Sequence, residues 1–244
     1  MVRVSVITPV FNDGRFLLKN LDSVASQCKA GLLNVEHIIV DNMSTDETQE
    51  IVLNFQSLSH PGYELKYLRD FDLGQSNAIN KGFSSSSGSY ICWLNADEWY
   101  CEGTLEMVCE TFSLNDHVDV IFGNCAFYNE KMQMTRLKKE FKFDRNMLLY
   151  YGCFIPSCAS FFRKEIYKKV GGLDENLKVV MDFEWYLRID KAQFNFHFQN
   201  EHFSNFLWHE SNVSSLNIER RLSERVSVQR KFSGDILPDY LFDY

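Results

Sequence analysis

The first 98 residues alternate between short apolar runs and amphipathic segments, a pattern few folds accept. Residues 2–10 carry Val4, Val6, Ile7 and Val10 and break at the polar turn Asn12-Asp13-Gly14. A helix is expected next, with Asp13 as N-cap and Phe16, Leu17, Leu21 and Val24 on one face. His37-Ile38-Ile39-Val40 reads as a second strand ending at Asp41. Ser44-Thr45-Asp46-Glu47 has the S-x-x-E form of a capping box and opens a helix through Ile51, Val52 and Phe55. Residues 65–68 form a third strand and residues 74–83 a third helix, closed by the serine run 84–87 and Gly88. Residues 90–94 form a fourth strand. Strands apolar along their whole length, alternating with helices, predict a parallel sheet covered on both faces.

Ligands of such sheets bind at the carboxyl ends of the strands. Asn95, Asp97 and Glu98 crowd into the turn after the fourth strand, and like charges so close need a cation or donors to compensate them. A divalent metal holding a diphosphate meets that need. Beyond this turn the alternation stops. A helix is expected over 104–112, a strand over 118–123, and an antiparallel ribbon from 125–128 and 132–137. Residues 159–162 read as a short strand and 163–170 as a helix stopped by Gly171-Gly172. A helix over 182–190 and strands near 194–198 and 203–208 follow, then a helical tail over 215–232 rich in arginine.

Net charge is −8, which disfavours broad nucleic-acid binding driven by phosphate neutralisation. The seven cysteines form no CxxC pair and several lie in apolar runs, as expected of free thiols in a reducing compartment. The first residues are too short and too β-branched for a signal peptide, and no apolar run reaches the ~20 residues that span a bilayer. A cytoplasmic protein is expected, with peripheral contact to the inner face of the cytoplasmic membrane open through its basic tail. That tail and the mixed segment 141–151 could equally form a homodimer contact or cover an acceptor cleft.

Six motifs stand in order: Ser5-Val6-Ile7-Thr8-Pro9-Val10-Phe11-Asn12, Ile39-Val40-Asp41-Asn42-Met43-Ser44, Asp72-Leu73-Gly74-Gln75-Ser76-Asn77, Leu94-Asn95-Ala96-Asp97-Glu98, Gly171-Gly172-Leu173-Asp174-Glu175 and Met181-Asp182-Phe183-Glu184. Over residues 2–212 the chain closely resembles the family 2 glycosyltransferases. The resemblance implies an α/β protein of the GT-A fold, Rossmann-like, with a mostly parallel central sheet flanked by helices. It divides the chain into a nucleotide-sugar half (1–98), an acceptor half (99–212) and a helical tail (213–244). The implied reaction is an inverting transfer of a hexosyl or N-acetylhexosaminyl group from a nucleotide-diphosphate sugar, a UDP-sugar by preference. The implied acceptor is a saccharide, lipid-linked in the commonest setting, bacterial surface polysaccharide assembly.

The resemblance also assigns residues. Thr8, Pro9, Phe11, Asp41, Ser44, Gln75, Asn77, Asn95 and Ala96 would face the donor nucleotide and its sugar. Asp97 and His209 would hold Mn2+ or Mg2+, with Asn95 standing where relatives carry the first aspartate of a DxD motif. Glu98 is left between metal and sugar. Asp182 would be the general base, in the first turn of a helix where the dipole favours a carboxylate. Asp174 is a candidate acceptor contact, and Trp99, Trp185 and Tyr186 are candidates for sugar stacking or, by default, core. Two other classes stay open: a non-catalytic nucleotide-sugar binder, and a nucleotidyltransferase. The latter is opposed by the absence of a glycine-rich, basic loop after Val10.

Overall fold

The structure, a computed structural model, describes residues 2–28, 33–58, 60–210, 212 and 218–233. Its first half follows the alternation. Strands β1 (Val2–Val10), β2 (Leu33–Asp41), β3 (Tyr63–Arg69) and β4 (Tyr90–Trp93) are joined by helices α1 (Gly14–Ala25), α2 (Thr48–Gln56) and α3 (Gln75–Ser85). All pair in parallel in the order β3-β2-β1-β4, so the carboxyl ends of β1 and β4 lie together with Ile7 opposite Trp93. Val4, Val6 and Ile7 are buried because helices cover both faces. A Cβ on Gly82 would meet Ile7 at 2.4 Å, so α3 lies almost directly on β1.

The helix starts differ from expectation. Asp13 makes no side-chain cap, and neither does Glu47, which directly precedes α2. The S-x-x-E box is not formed, because the helix starts only at Thr48 and Ser44 bonds elsewhere. Ser44 Oγ accepts the Asn12 amide at 2.9 Å. Asp46 accepts the Gly14 amide at 3.0 Å and the Thr48 amide at 3.1 Å, so one carboxylate caps two helices.

The second half adds β5 (Glu98–Tyr100), α4 (Thr104–Leu114), β6 (Val120–Asn129), β7 (Met134–Lys138), β8 (Ser160–Arg163), α5 (Lys164–Val170), α6 (Met181–Lys191) and β9 (Phe196–Trp208). These continue the same sheet as β4-β8-β6-β9-β5, with β7 on β6. β4–β8, β6–β8, β6–β7 and β5–β9 are antiparallel, while β6–β9 is parallel. The two strands expected around the polar stretch 199–202 are one long strand. The register slips between Phe122 and Cys125, and the strand runs through on the far side of that slip.

The helix of the tail, α7 (Ile218–Ser233), packs back on the domain by Glu224, Val228 and Gln229. Of the segment 213–244, residues 213–217 and 234–244 lie outside the described residues, as do 215–217 of the expected helix. Among the described residues no helix is long and apolar enough to cross a membrane.

A stack of aromatic rings ties the two halves together. Trp93 lies 5.8 Å from both Phe162 and Trp185 between ring centroids, and Trp185 donates to the Gly171 carbonyl at 2.9 Å. Trp185 and Tyr186 are fully buried, which makes them core and not sugar platforms.

Candidate active site

An open cleft of about 540 Å³ crosses the carboxyl ends of β1 and β4 and reaches the start of α6. Phe11, Gln75, Asn95, Asp97, Asp182 and His209 all face it, so residues from positions 11 to 209 meet at one place. Its floor is the turn 95–98, closed by the Glu98 amide on the Asn95 carbonyl at 3.0 Å.

Of the residues expected at the donor, Pro9, Phe11, Gln75, Asn95 and Ala96 line this cleft. Gln75 donates to Asn95 Oδ1 at 2.6 Å, which fixes both amides. Gly74 before it has φ 114, a conformation that glycine tolerates and that turns the chain into α3. The other four are not on the surface of the cleft, and their side chains are already used. Thr8 is fully buried and its hydroxyl meets His37 Nε2 at 2.9 Å and the Leu94 carbonyl at 2.8 Å. Asp41 is fully buried, accepting the Ser44 amide at 2.8 Å and the Tyr67 hydroxyl at 2.6 Å, with Arg69 Nε at 3.4 Å. Ser44 holds Asn12, and Asn77 donates to Glu175 at 2.9 Å. These residues shape the loops that border the cleft. Asp174 likewise turns on its own loop, accepting from Asn176 at 3.0 Å. Trp99 carries Lys19 Nζ 3.5 Å above its ring.

Asp97 and His209 are brought into contact although 112 positions separate them. His209 Nε2 lies 3.1 Å from Asp97 Oδ2, and Asn212 donates to the same oxygen at 2.8 Å. The Phe16 ring, 4.7 Å from the imidazole, supports it from α1. Among the described residues the buried His209 Nδ1 has no hydrogen-bond partner. A carboxylate oxygen and an imidazole nitrogen suit a divalent ion. Among the described residues no group of three or more His, Cys, Asp or Glu is arranged to hold one, so a metal at this pair would need further ligands.

Glu98 turns inward. It is 2% exposed, and its Oε2 accepts the Asn95 amide at 2.7 Å. Burial, with smaller contributions from nearby Cys158 and Asp97, pushes its carboxyl well above the usual range. It braces the turn from below.

Asp182 stands at the first turn of α6, facing the same cleft. Its Oδ1 accepts the Phe183 amide at 2.7 Å, and Cys153 Sγ lies 3.8 Å from Oδ2. Desolvation pushes its carboxyl up to about 6, against the pull of those donors. A carboxyl of that kind is a strong enough base to take a hydroxyl proton in the transition state and is still ionised near neutrality. Glu184, two residues on, is buried and paired with Arg188 at 2.7 Å, so it is structural.

Three residues at the cleft escaped the sequence reading. Asp13, taken for a cap, faces the cleft, where desolvation first and then Asp97 raise its carboxyl to about 6. Its place in the turn after β1 was the available signal. Asn20 is fully buried on α1 and donates to the carbonyls of Asn95 at 2.9 Å and Glu98 at 3.1 Å. A polar residue beside Leu21 on an apolar helix face was its signal. Lys178 reaches the Leu73 carbonyl at 2.7 Å across the cleft, and nothing in its local sequence marks it.

Residues 5–171 match the model of glycosyl transferase family 2. An uncharacterized glycosyltransferase of Nostoc sp. is 27% identical over 71% of this chain and 54% of its own length. The chain spans between 54% and 61% of the length of that protein and two similar curated relatives. Among solved structures, residues 1–349 of S. aureus TarS, in complex with UDP-GlcNAc, superpose with a TM-score of 0.69 at 16% identity, covering 99% of this chain and 70% of that one. A mannosyltransferase of Pyrobaculum calidifontis, in complex with GDP-Man and Mn2+, gives 0.67 at 17% identity over 92% and 62%. At such identities the superpositions speak for the fold, which is that of these GT-A enzymes.

Proposed function

The chain belongs to glycosyl transferase family 2, and on that premise we propose that it transfers a sugar from a nucleotide-diphosphate sugar, a UDP-sugar, to a saccharide acceptor with inversion at the anomeric carbon. The observation that carries this reading is the single cleft where Gln75 and Asn95, the Asp97–His209 pair and Asp182 converge.

The donor nucleotide lies against Pro9, Phe11 and Ala96, its sugar toward Gln75 and Asn95. Asp97 and His209 would hold Mn2+ or Mg2+, which when bound supplies charge neutralisation to the departing diphosphate. Asp182 takes the proton of the acceptor hydroxyl as that oxygen bonds to the anomeric carbon. The bond from that carbon to the diphosphate oxygen breaks on the opposite face, and the electron pair leaves with the nucleotide. Residues 1–98 then serve the donor and 99–212 the acceptor. A lipid-linked saccharide in bacterial surface polysaccharide assembly suits this reading, with α7 offering a basic surface, Arg220, Arg221 and Arg230 among its exposed residues.

The test is a panel of UDP-, GDP- and dTDP-sugars with Mn2+, scored for nucleotide release and for thermal shift. One sugar should give metal-dependent release in the wild type and none in Asp182→Asn, with donor-induced shift kept in both. No response to any donor would remove the assignment. Release of pyrophosphate in place of a nucleoside diphosphate would make the chain a nucleotidyltransferase.

A further inference from the structure

The helix α7 buries Glu224, Val228 and Gln229, and Phe232 packs half-buried against the core beyond them. Beside that apolar contact its attachment includes directed hydrogen bonds, and these converge on one place. The Glu224 carboxylate accepts the amide of Lys178 at 3.0 and 3.1 Å on its two oxygens, that of Val179 at 2.9 Å and that of Val180 at 3.3 Å. Arg220, one turn earlier, donates to it at 2.7 Å. Desolvation pushes this carboxyl up, but the bonds from Arg220 and the three amides outweigh it and hold it below the usual range.

These amides directly precede α6, whose first turn carries Asp182. Helix starts leave N–H groups without partners inside the helix, and a carboxylate there is favoured by the dipole. Here the carboxylate comes from another element, 44 to 46 positions away. The same helix grips the other side of Asp182. Gln229 donates to the carbonyls of Leu149 at 2.7 Å and Tyr150 at 3.3 Å, in the helical turn Met147–Tyr151. That turn leads into Cys153, whose sulfur lies against Asp182 Oδ2. Lys231 adds a 2.8 Å bond to Glu184 on α6.

We infer that Glu224 is a positioning residue for Asp182: with Gln229 it clamps the two segments that set where the Asp182 carboxylate points in the cleft. The inference rests on the proposed role of Asp182 as general base. Glu224 touches no substrate. Lys178 gives the clamp a second consequence, because the backbone held by Glu224 also aims its ammonium at the Leu73 carbonyl across the cleft, with the Glu175 carbonyl of its own loop as a further acceptor.

The experiment compares Glu224→Ala, Glu224→Gln and a same-helix control, Leu222→Ala, whose side chain is 44% exposed. Transfer is measured per folded molecule across pH, and amide exchange is followed without substrate. Glu224→Ala should lower kcat by about tenfold or more, with donor KM within about twofold, since donor contacts lie elsewhere. Its acid limb should move to lower pH as water reaches Asp182. The groups facing Asp182 are Cys153 from the segment before β8, Lys138 on β7 and Tyr186 on α6, and the substitution leaves all three in place. Glu224→Gln, keeping one acceptor oxygen, should fall between, and Leu222→Ala should match the wild type. Exchange at residues 178–183 should quicken in Glu224→Ala. Unchanged kcat, acid limb and exchange in Glu224→Ala would overturn the clamp. A wild type that transfers no sugar would remove the proposed function instead, while exchange would still decide the clamp: faster upholds it, equal overturns it.

Discussion

The sides of the cleft proposed for the donor and for the acceptor are held by different means. On the donor side each functional turn follows its own strand, and its supports sit in neighbouring strand–helix units. Asn20 on α1 holds the turn 95–98, and Asp46 caps α1 and α2 together. On the acceptor side Asp182 depends on segments remote in sequence, gripped by a helix beyond the sheet. Directed bonds hold both sides, but on the donor side they join strand–helix units of the sheet, whereas on the acceptor side they come from a helix outside it. Changes on the donor side should therefore cost binding or folding, and changes on the acceptor side turnover.

The largest effect that would break this contrast is at Asp182. Asp182→Asn should lower kcat by about a thousandfold, within the range of general bases, with the donor Kd within about twofold. A matching loss of donor affinity would erase the distinction. Next is Asp97→Ala, expected to weaken metal-dependent donor binding by about 10- to 100-fold. With Asp97 and His209 as the two proposed ligands, calorimetry should show weak Mn2+ uptake by the free protein and strong uptake once nucleoside diphosphate is present. Tight binding without nucleotide would contradict the two-ligand shell.

Asn20→Ala should destabilise the fold by about 1–3 kcal/mol, since two buried carbonyls lose their donor. Urea unfolding measures this, and donor KM should rise with it. The smallest effect is a pH dependence at Asp182. Its carboxyl titrates near 3.8 when unfolded and near 6 when folded. Between those values the folded state holds the extra proton, so stability falls as pH rises and the loss is complete above about 6. Asp182→Asn removes that penalty. It should be more stable than wild type at pH 7.5 by about 1–2 kcal/mol, allowing for partial solvent contact, with no advantage at pH 4. An advantage at both would mean that the carboxyl is not desolvated.

The same contrast explains what could be read from the chain. Runs such as His37-Ile38-Ile39-Val40 declare a buried strand by themselves, and Asp97 and Asp182 each follow or open an element that local pattern reveals. Side-chain direction at a strand end is not local in that way. Thr8 and Asp41 belong to the nucleotide motifs, yet their polar atoms point into the sheet because His37 and Tyr67 offer partners there. Glu47 completes a capping box on paper, but the competing bonds of Ser44 and Asp46 come from the neighbouring β1–α1 turn. The bond from Val179 to Glu224 spans 45 positions and has no signature at either end.

The tryptophan pair has a practical consequence. Trp93 ends the strand that leads into the Asn95–Glu98 turn, and Trp185 sits one turn after Asp182. Only four tryptophans exist in the chain, so these two account for much of its ultraviolet emission. With ring centroids 5.8 Å apart they exchange excitation, and Trp93 borders the cleft itself. Intrinsic emission, and its polarisation above all, is therefore a label-free probe of the core between the Asn95–Glu98 turn and α6.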